Sequence, residues 1–138
     1  MIPENQMPAL SVVIPTRGRP ILIRTLESLL RSAGFADIEV LVCGELLDPQ
    51  VAAEVARMVG RHPSIRHLPV SFKHGDSSQK KNAGWRASRA PLVAFLDDDV
   101  VVAPDWALRI REPFAGVDVG QVAEVGEVRQ HIITGYSG

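Results

Sequence analysis

Three consecutive carboxylates follow an apolar run, and this stretch is the part of the chain best suited to chemistry. Residues 92–96 are all apolar, and Asp97, Asp98 and Asp99 come directly after them. Because apolar residues favour burial whereas carboxylates are costly to bury, the pattern predicts a core strand whose carboxyl end opens at a cleft. In an extended backbone, Asp97 and Asp99 point to one side and Asp98 to the other.

Asp97 and Asp99, which share a side, repel each other unless a positive charge lies between them or one of them binds a proton. A hard divalent cation meets this need, because it keeps several waters and accepts further oxygens from a phosphate. The triplet therefore predicts a metal and phosphate site at the end of the strand. The alternative interpretation is a solvated acidic turn.

The overall composition is ordinary for a soluble globular domain. The 138 residues are 46% hydrophobic and 22% charged, which is enough apolar material for one compact domain with a core. The net charge of -1 shows no excess of Lys and Arg, so no nucleic-acid partner is expected. The single cysteine, Cys43, has no partner for an internal disulfide, which fits a reducing cytoplasm. We expect no secretion signal and no membrane span in this chain.

Apolar periodicity and turn residues predict that strands and helices alternate along the chain. The predicted strands are Leu10–Pro15, Ile38–Cys43, a weaker and edge-like Ile65–Val70, the strand that ends at the aspartates, and one or two strands between Val117 and Ile133. The predicted helices run from Pro20 to Gly34, from a cap at Asp48 to a stop at Gly60, from Ser77 or Ser78 to Arg89, and from Pro104 through Ile110.

This alternation predicts an α/β, Rossmann-like fold with three α/β/α layers around a mostly parallel sheet. In such sheets, ligands bind outside the carboxyl ends of the strands. We therefore expect the loops after Ile14, Cys43 and Leu96 to gather at one edge. No repeat or linker divides the chain, so a single domain is predicted over residues 1–138.

Four stretches resemble, in order and spacing, the nucleotide-sugar-binding part of GT-A fold glycosyltransferases of family 2. They are Ser11–Pro20, Lys81–Gly84, Phe95–Asp99 and Pro104–Trp106. The resemblance covers roughly residues 9 to 128 and is specific as a constellation. It implies a GT-A fold, and transfer of a sugar from a UDP-, GDP- or dTDP-linked donor to an acceptor hydroxyl with inversion.

The resemblance also implies roles for individual residues. Pro15, Thr16 and Arg17 would line the base and ribose pocket. Asp97 would face the ribose and sugar, and Asp99 would hold Mn2+ or Mg2+ together with Asp97. Lys80 and Lys81 would add positive charge near the phosphates, although a solvated helix face is an alternative for both. The predicted donor-binding residues are Pro15, Thr16, Arg17, Glu45, Lys80, Lys81, Asn82, Asp97 and Asp98.

Two departures from the family pattern affect these expectations. The family usually has paired aspartates after its second strand, where this chain has Gly44 and Glu45. Either Glu45 substitutes with its longer reach, or recognition of the base is altered, so the sequence leaves the nucleotide open. Only 39 residues follow Asp99, because the chain has 138 residues in all. We therefore expect a truncated chain without the acceptor-binding part, and we assign no catalytic base, since Glu124 and Glu127 fit solvent-facing strand positions better.

Other functions remain open on the sequence alone. The spacing of Asp97 and Asp99 also resembles the nucleophile motif of haloacid-dehalogenase-type phosphatases, although that motif normally comes first in the chain. A sugar nucleotidyltransferase is closer in fold but needs a more glycine-rich loop. A nucleotide-binding module without catalysis is the non-enzymatic alternative. We expect a cytoplasmic location, with attachment to the inner face of the membrane and a homo-oligomer left open.

Overall fold

The computed structural model describes residues 7–71 and 77–112, which form a sheet with helices on both faces. The strands are β1 (Leu10–Pro15), β2 (Ile38–Cys43), β3 (Ile65–Leu68) and β4 (Val93–Phe95). The helices are α1 (Ile21–Leu30), α2 (Pro49–Arg61), α3 (Ser77–Ala87) and α4 (Trp106–Arg109), and a short 3-10 helix spans Phe35–Asp37.

The four strands are parallel and lie in the order β3-β2-β1-β4. Val12 in β1 pairs with Val40 in β2 and with Ala94 in β4, so three strands run side by side in register. Because they are parallel, their carboxyl ends meet at one edge of the sheet. The predicted mostly parallel sheet is confirmed.

Alternating residues of β1 face two different helix layers. Leu10, Val12 and Ile14 are buried in a large core that also contains Leu22, Leu26 and Leu29 of α1, Val51 and Val55 of α2, and Trp106 of α4. The other face carries Val13, Leu41, Cys43 and Val93, and α3 lies against it. The predicted three-layer α/β/α arrangement is therefore confirmed, with α3 as the helix that covers this second face among the described residues.

The helices end at residues other than those predicted. α1 ends at Leu30, before the predicted stop at Gly34, and α4 ends at Arg109, one residue before Ile110. α2 continues through Gly60 to Arg61, and the backbone N–H of His62 still donates to the carbonyl of Met58 at 2.8 Å. The prediction that Gly60 stops this helix was wrong, because a single glycine costs a helix only about 1 kcal/mol. α3 ends at Ala87 rather than Arg89, since the N–H of Arg89 donates to a side chain of the sheet instead.

The strands differ less from prediction. β3 ends at Leu68, directly before Pro69, whose nitrogen has no hydrogen to donate to a neighbouring strand. Its predicted edge position is confirmed within the described sheet, where it pairs with β2. The strands predicted between Val117 and Ile133, with Glu124 and Glu127, lie outside the described residues. Among the described helices, none has the length and apolar character needed to cross a bilayer.

Candidate functional site

A cavity of about 490 Å³ opens at the carboxyl edge of the sheet, where the loops after β1 and β4 meet the first half of α3. Its lining is almost entirely polar or charged, and it contains all three aspartates of the triplet. The lining residues are Pro15, Thr16, Arg17, Arg19, Lys80, Lys81, Asp97, Asp98 and Asp99. Seven of the nine predicted donor-binding residues therefore lie around one cavity, as does the predicted metal ligand Asp99.

Asp98 is buried and holds the two loops together. One carboxylate oxygen accepts a hydrogen bond from the Thr16 hydroxyl at 2.7 Å, and the other accepts from the Arg19 guanidinium at 2.8 Å. The Asp98 carbonyl accepts from the Thr25 hydroxyl at 2.9 Å. The hydrogen bond to Asp98 and the negative charge of that carboxylate raise the pKa of Arg19 above its ordinary value. Asp98 thus connects the loops after β1 and β4 through both of its carboxylate oxygens, and it also lines the cavity.

Thr16 is the second residue that connects the elements around the cavity. Its hydroxyl donates to Asp98 and accepts from the backbone N–H of Gly18 at 2.9 Å. Its own N–H donates to the carbonyl of Cys43 at the end of β2, at 2.9 Å. Its carbonyl accepts from the Lys80 ammonium at 3.1 Å. One residue therefore links β1, β2, α3 and the acidic loop.

Lys80 and Lys81 differ in their surroundings, although they are neighbours in α3. Lys80 is 7% exposed and lines the cavity, so the solvated-face interpretation is wrong for this lysine. Lys81 is half-buried, and its ammonium lies 5.9 Å from the centroid of the Phe95 ring. Phe95 in turn stacks on Trp85. Two positive charges therefore approach the cavity from α3.

Asp97 and Asp99 are the exposed members of the triplet, as the predicted alternation requires. Within the described residues, no three His, Cys, Asp or Glu side chains are grouped to hold a metal ion. A pair of exposed carboxylates nevertheless fits Mg2+ or Mn2+, because such ions commonly take one or two carboxylates and complete their shell with water and substrate phosphates. The donor set thus fits an ion that is shared with a phosphate ligand.

Two predicted donor-binding residues do not join this cavity. Asn82 is exposed and is absent from the lining. Glu45 lines a second cavity of about 510 Å³ with apolar residues of α2 and with His67. At Gly44, φ is 147° and a Cβ would collide with the carbonyl oxygen of Thr16. Position 44 therefore has no room for the aspartate that the family pattern usually shows, and Glu45 next to it belongs to a different surface.

The place of Arg17 and Arg19 after the first strand favours a role at the site, and both line the cavity, although the Arg19 side chain is 57% exposed. Sequence reasoning missed another part of the site. Thr25 in α1 had no signal, because its contact with the carbonyl of Asp98 joins residues 73 positions apart. Such a contact follows from how α1 packs against the sheet and not from any local pattern.

Cys43 is expected to resist thiol reagents in the folded chain. The residue is fully buried, and burial raises the pKa of its thiol to about 11, so at pH 8 only about one thiol in a thousand is ionised. Labelling with a chromogenic disulfide reagent should be slow in native buffer and fast in guanidinium chloride. Fast labelling of the native chain would contradict this burial.

The fold is a parallel sheet with helices on both faces and a polar cavity at its carboxyl edge, and comparisons with known proteins give the family. Residues 8–132 match the family described as "Glycosyltransferase like family 2". The chain therefore belongs to glycosyltransferase family 2. This confirms the predicted family.

Named relatives are about one-third identical to this chain over the aligned residues. Validoxylamine A glucosyltransferase of Streptomyces hygroscopicus is 32% identical over 114 residues, which cover 81% of this chain and 27% of that protein. The succinoglycan biosynthesis protein ExoM of Rhizobium meliloti is 30% identical over 129 residues, which cover 92% of this chain and 41% of that protein. The chain thus spans well under half the length of either relative.

Solved structures show the same fold at low sequence identity. A mannosyltransferase from Pyrobaculum calidifontis, solved in complex with GDP-Man and Mn2+, superposes with a TM-score of 0.67 at 18% identity. The match covers 91% of this chain and 41% of that one. Residues of S. aureus TarS superpose with a TM-score of 0.62 at 17% identity, covering 76% of this chain and 31% of that one. The predicted GT-A fold is confirmed.

Proposed function

We propose that this chain is the donor-binding part of a glycosyltransferase that moves a sugar from a nucleoside diphosphate to an acceptor hydroxyl with inversion. The observation that carries the proposal is the polar cavity at the carboxyl edge of the sheet, in a chain that belongs to family 2. UDP, GDP and dTDP are the candidate nucleotides, and the acceptor is a hydroxyl compound of unassigned identity.

The charges around the cavity suit a diphosphate. Its cationic lining residues are Arg17, Arg19, Lys80 and Lys81. Lys80 is the best placed of them, because it is buried at the cavity wall, where water screens its charge less than at the surface. Asp97 and Asp99 are the proposed ligands of Mn2+ or Mg2+. Such an ion, when bound, would neutralise charge on the departing diphosphate and orient it.

The nucleoside is assigned to the end of β1. Pro15, Thr16 and Arg17 line the cavity there, and they are the proposed contacts for the base and ribose. Asp98 is proposed to act indirectly, because its carboxylate holds Thr16 and Arg19 in place. Glu45 and Asn82 are left out of the proposed donor site, since neither lines this cavity.

Metal-dependent diphosphate binding tests the proposal. Calorimetric titration of the chain with UDP, GDP and dTDP, each with and without Mn2+, should show binding of at least one diphosphate that the metal strengthens. Asp99→Ala should weaken the metal-dependent binding by at least about tenfold, since even outer-shell partners of a metal are typically worth that much.

Asp105→Ala is the matched control for this substitution. The Asp105 side chain is 52% exposed and that of Asp99 53%, but Asp105 precedes α4 and does not line the cavity. Binding should be unchanged in this variant. Equal binding with and without Mn2+, or equal losses in the two variants, would refute the metal role of Asp99.

A nucleotide-binding module without catalysis is the second candidate. The chain spans 27% of the validoxylamine A glucosyltransferase and 41% of ExoM, so the activity of those whole proteins is itself only proposed for it. Sugar-nucleotide binding without release of free diphosphate, in the presence of diverse sugar acceptors, would support the module over the enzyme. A haloacid-dehalogenase-type phosphatase is not proposed, since the family match is to glycosyltransferases.

A cytoplasmic location is proposed because the single cysteine needs no oxidising compartment. A single domain over residues 1–138 is also proposed. A homo-oligomer stays a prediction, which rests on β3 and β4 each having only one strand partner within the described residues.

A further inference from the structure

A buried carboxylate lies on the α3 face of the sheet, near the amino ends of the strands. Glu39 in β2 is 0% exposed, yet its side chain is ionisable. One of its oxygens accepts from the Ser11 hydroxyl at 2.5 Å and from the backbone N–H of Arg89 at 2.6 Å. The other accepts from the guanidinium groups of Arg66 and Arg89, each at 3.2 Å. All four contacts come from residues outside β2.

The charged form of Glu39 is the stable one. Burial by itself would raise the pKa of this carboxyl, but hydrogen bonds from Ser11 and Arg89 and the charge of Arg66 together lower it. Replacing such a group by an apolar residue is often neutral for stability, so a buried ion cluster is weak evidence for a purely stabilising role.

The cluster holds the carboxyl end of α3. The Arg66 guanidinium, which contacts Glu39, also donates to the carbonyl of Ala87, the last residue of α3, at 2.6 Å. The backbone N–H of Ala90 donates to the Ser11 hydroxyl at 3.1 Å, and that of Arg89 donates to Glu39. The helix end is thus tied to β1, β2 and β3 through one carboxylate and its partners.

The other end of α3 lies at the cavity. Lys80 donates to the carbonyl of Thr16 and lines the cavity, and Lys81 follows it. Lys80 and Ala87 are seven positions apart, which is roughly 10 Å along a helix at 1.5 Å per residue. Between them, Gly84 lies against Val13 and Cys43 with no space for a Cβ. A helix held this closely transmits a shift of one end to the other.

We propose that Glu39 is a positioning residue, which sets the place of Lys80 in the cavity by holding the carboxyl end of α3. The inference rests on the proposed function, because it assumes that Lys80 contacts a diphosphate. Glu39 itself lies at the opposite end of α3 from the cavity. Its effect on binding must therefore pass through the helix.

A double-mutant cycle on the intact chain tests this coupling. Diphosphate titrations in Mn2+ compare the original chain with Glu39→Gln, Lys80→Met and the double variant. Lys80→Met removes a charge at the cavity and should weaken binding roughly tenfold or more. Glu39→Gln should weaken binding by a similar factor, and the double variant should be little worse than either single variant. This non-additivity is expected only of coupled residues.

Val55→Ala is the matched structural control, because Val55 is buried in the core on the opposite face of the sheet. It also destabilises the chain without touching α3, so its effect on binding should be small and should add to that of Lys80→Met. Ser11→Ala is the second test of the cluster, in case Glu39→Gln does not fold. It removes one hydroxyl that bridges Glu39 and Ala90, and it should show the same coupling to Lys80 at smaller size.

Hydrogen exchange separates failure of this inference from failure of the proposed function. Glu39→Gln should speed exchange of the α3 amides several-fold more than that of the α2 amides, with no ligand present. Unchanged α3 exchange, or additive losses in the cycle, would overturn the positioning role. If the original chain binds no diphosphate, the proposed function fails and the role at the cavity fails with it, while faster α3 exchange would still support the anchoring of the helix.

Discussion

Gly84→Ala is expected to lower the free energy of unfolding by about 1–3 kcal/mol, the usual cost of inserting a methyl group into a filled core. A Cβ on Gly84 would collide with a methyl carbon of Val13 and would lie 2.9 Å from the sulfur of Cys43. Both neighbours are fully buried in the sheet and have no space to retreat into. The helix must move away instead, so diphosphate binding through Lys80 should also weaken.

Helix propensity opposes this loss and provides the control. Alanine stabilises a helix by about 1 kcal/mol relative to glycine. Gly60→Ala in α2 makes the same chemical change where nothing lies within 4 Å of the added carbon, so it should stabilise the chain by up to about 1 kcal/mol. Denaturant unfolding of both variants gives the sign of each change in the free energy of unfolding. Titration with the diphosphate measures the effect on binding. A stabilising Gly84→Ala would show that α3 does not pack this closely.

Asp98→Ala is expected to destabilise the chain by about 2–4 kcal/mol and to abolish measurable diphosphate binding. Hydrogen bonds to charged groups contribute about 1.5–3 kcal/mol each, and Asp98 accepts two such bonds from side chains. The Arg19 bond counts for less, because that side chain is 57% exposed and solvent screens it. The Thr16 bond counts for more, since its buried hydroxyl would lose its acceptor.

The comparison of Asp98→Ala with Asp99→Ala distinguishes positioning from metal binding. Asp99 is exposed, so its loss should leave the free energy of unfolding within about 0.5 kcal/mol of the original. The Asp98 variant should lose binding both with and without Mn2+, whereas the Asp99 variant should lose only the metal-dependent part. Urea unfolding and calorimetry measure both quantities. Retained metal-free binding in the Asp98 variant would argue against its role in holding the two loops.

Much of the fold was predictable because local patterns and burial agree. The apolar run Leu10–Pro15 became β1 with the predicted bounds, and Ile38–Cys43 became β2. Asp48 caps α2 as predicted, with its carboxylate accepting from the N–H of Gln50. Gly60 misled the prediction, because a glycine in a helix has a small cost that the surrounding helix outweighs. The end of α3 was also misjudged, since it depends on contacts with strands far away in sequence.

The candidate site was partly predictable for the same reason. Strand alternation predicted Asp97 and Asp99 on one side and Asp98 on the other. In the structure Asp97 and Asp99 are exposed, whereas Asp98 is buried. Glu45 was assigned from the family pattern, and no local signal indicated that it lines a second cavity. The close approach of Gly44 to Thr16, which excludes the aspartate of the family pattern, depends on the pairing of β1 with β2.

The amino-acid sequence alone determined the layers of this fold, the edge of the sheet where the polar cavity lies and the carboxylates that line it, because those features follow from burial periodicity within each segment. Only the tertiary structure decided that Lys80 is buried at the cavity, that Asp98 holds Thr16 and Arg19, and that Glu39 ties the end of α3 to three strands. The physical reason is that these contacts join residues between 21 and 82 positions apart. Their energies arise from packing and charge pairing across elements, which no local pattern records.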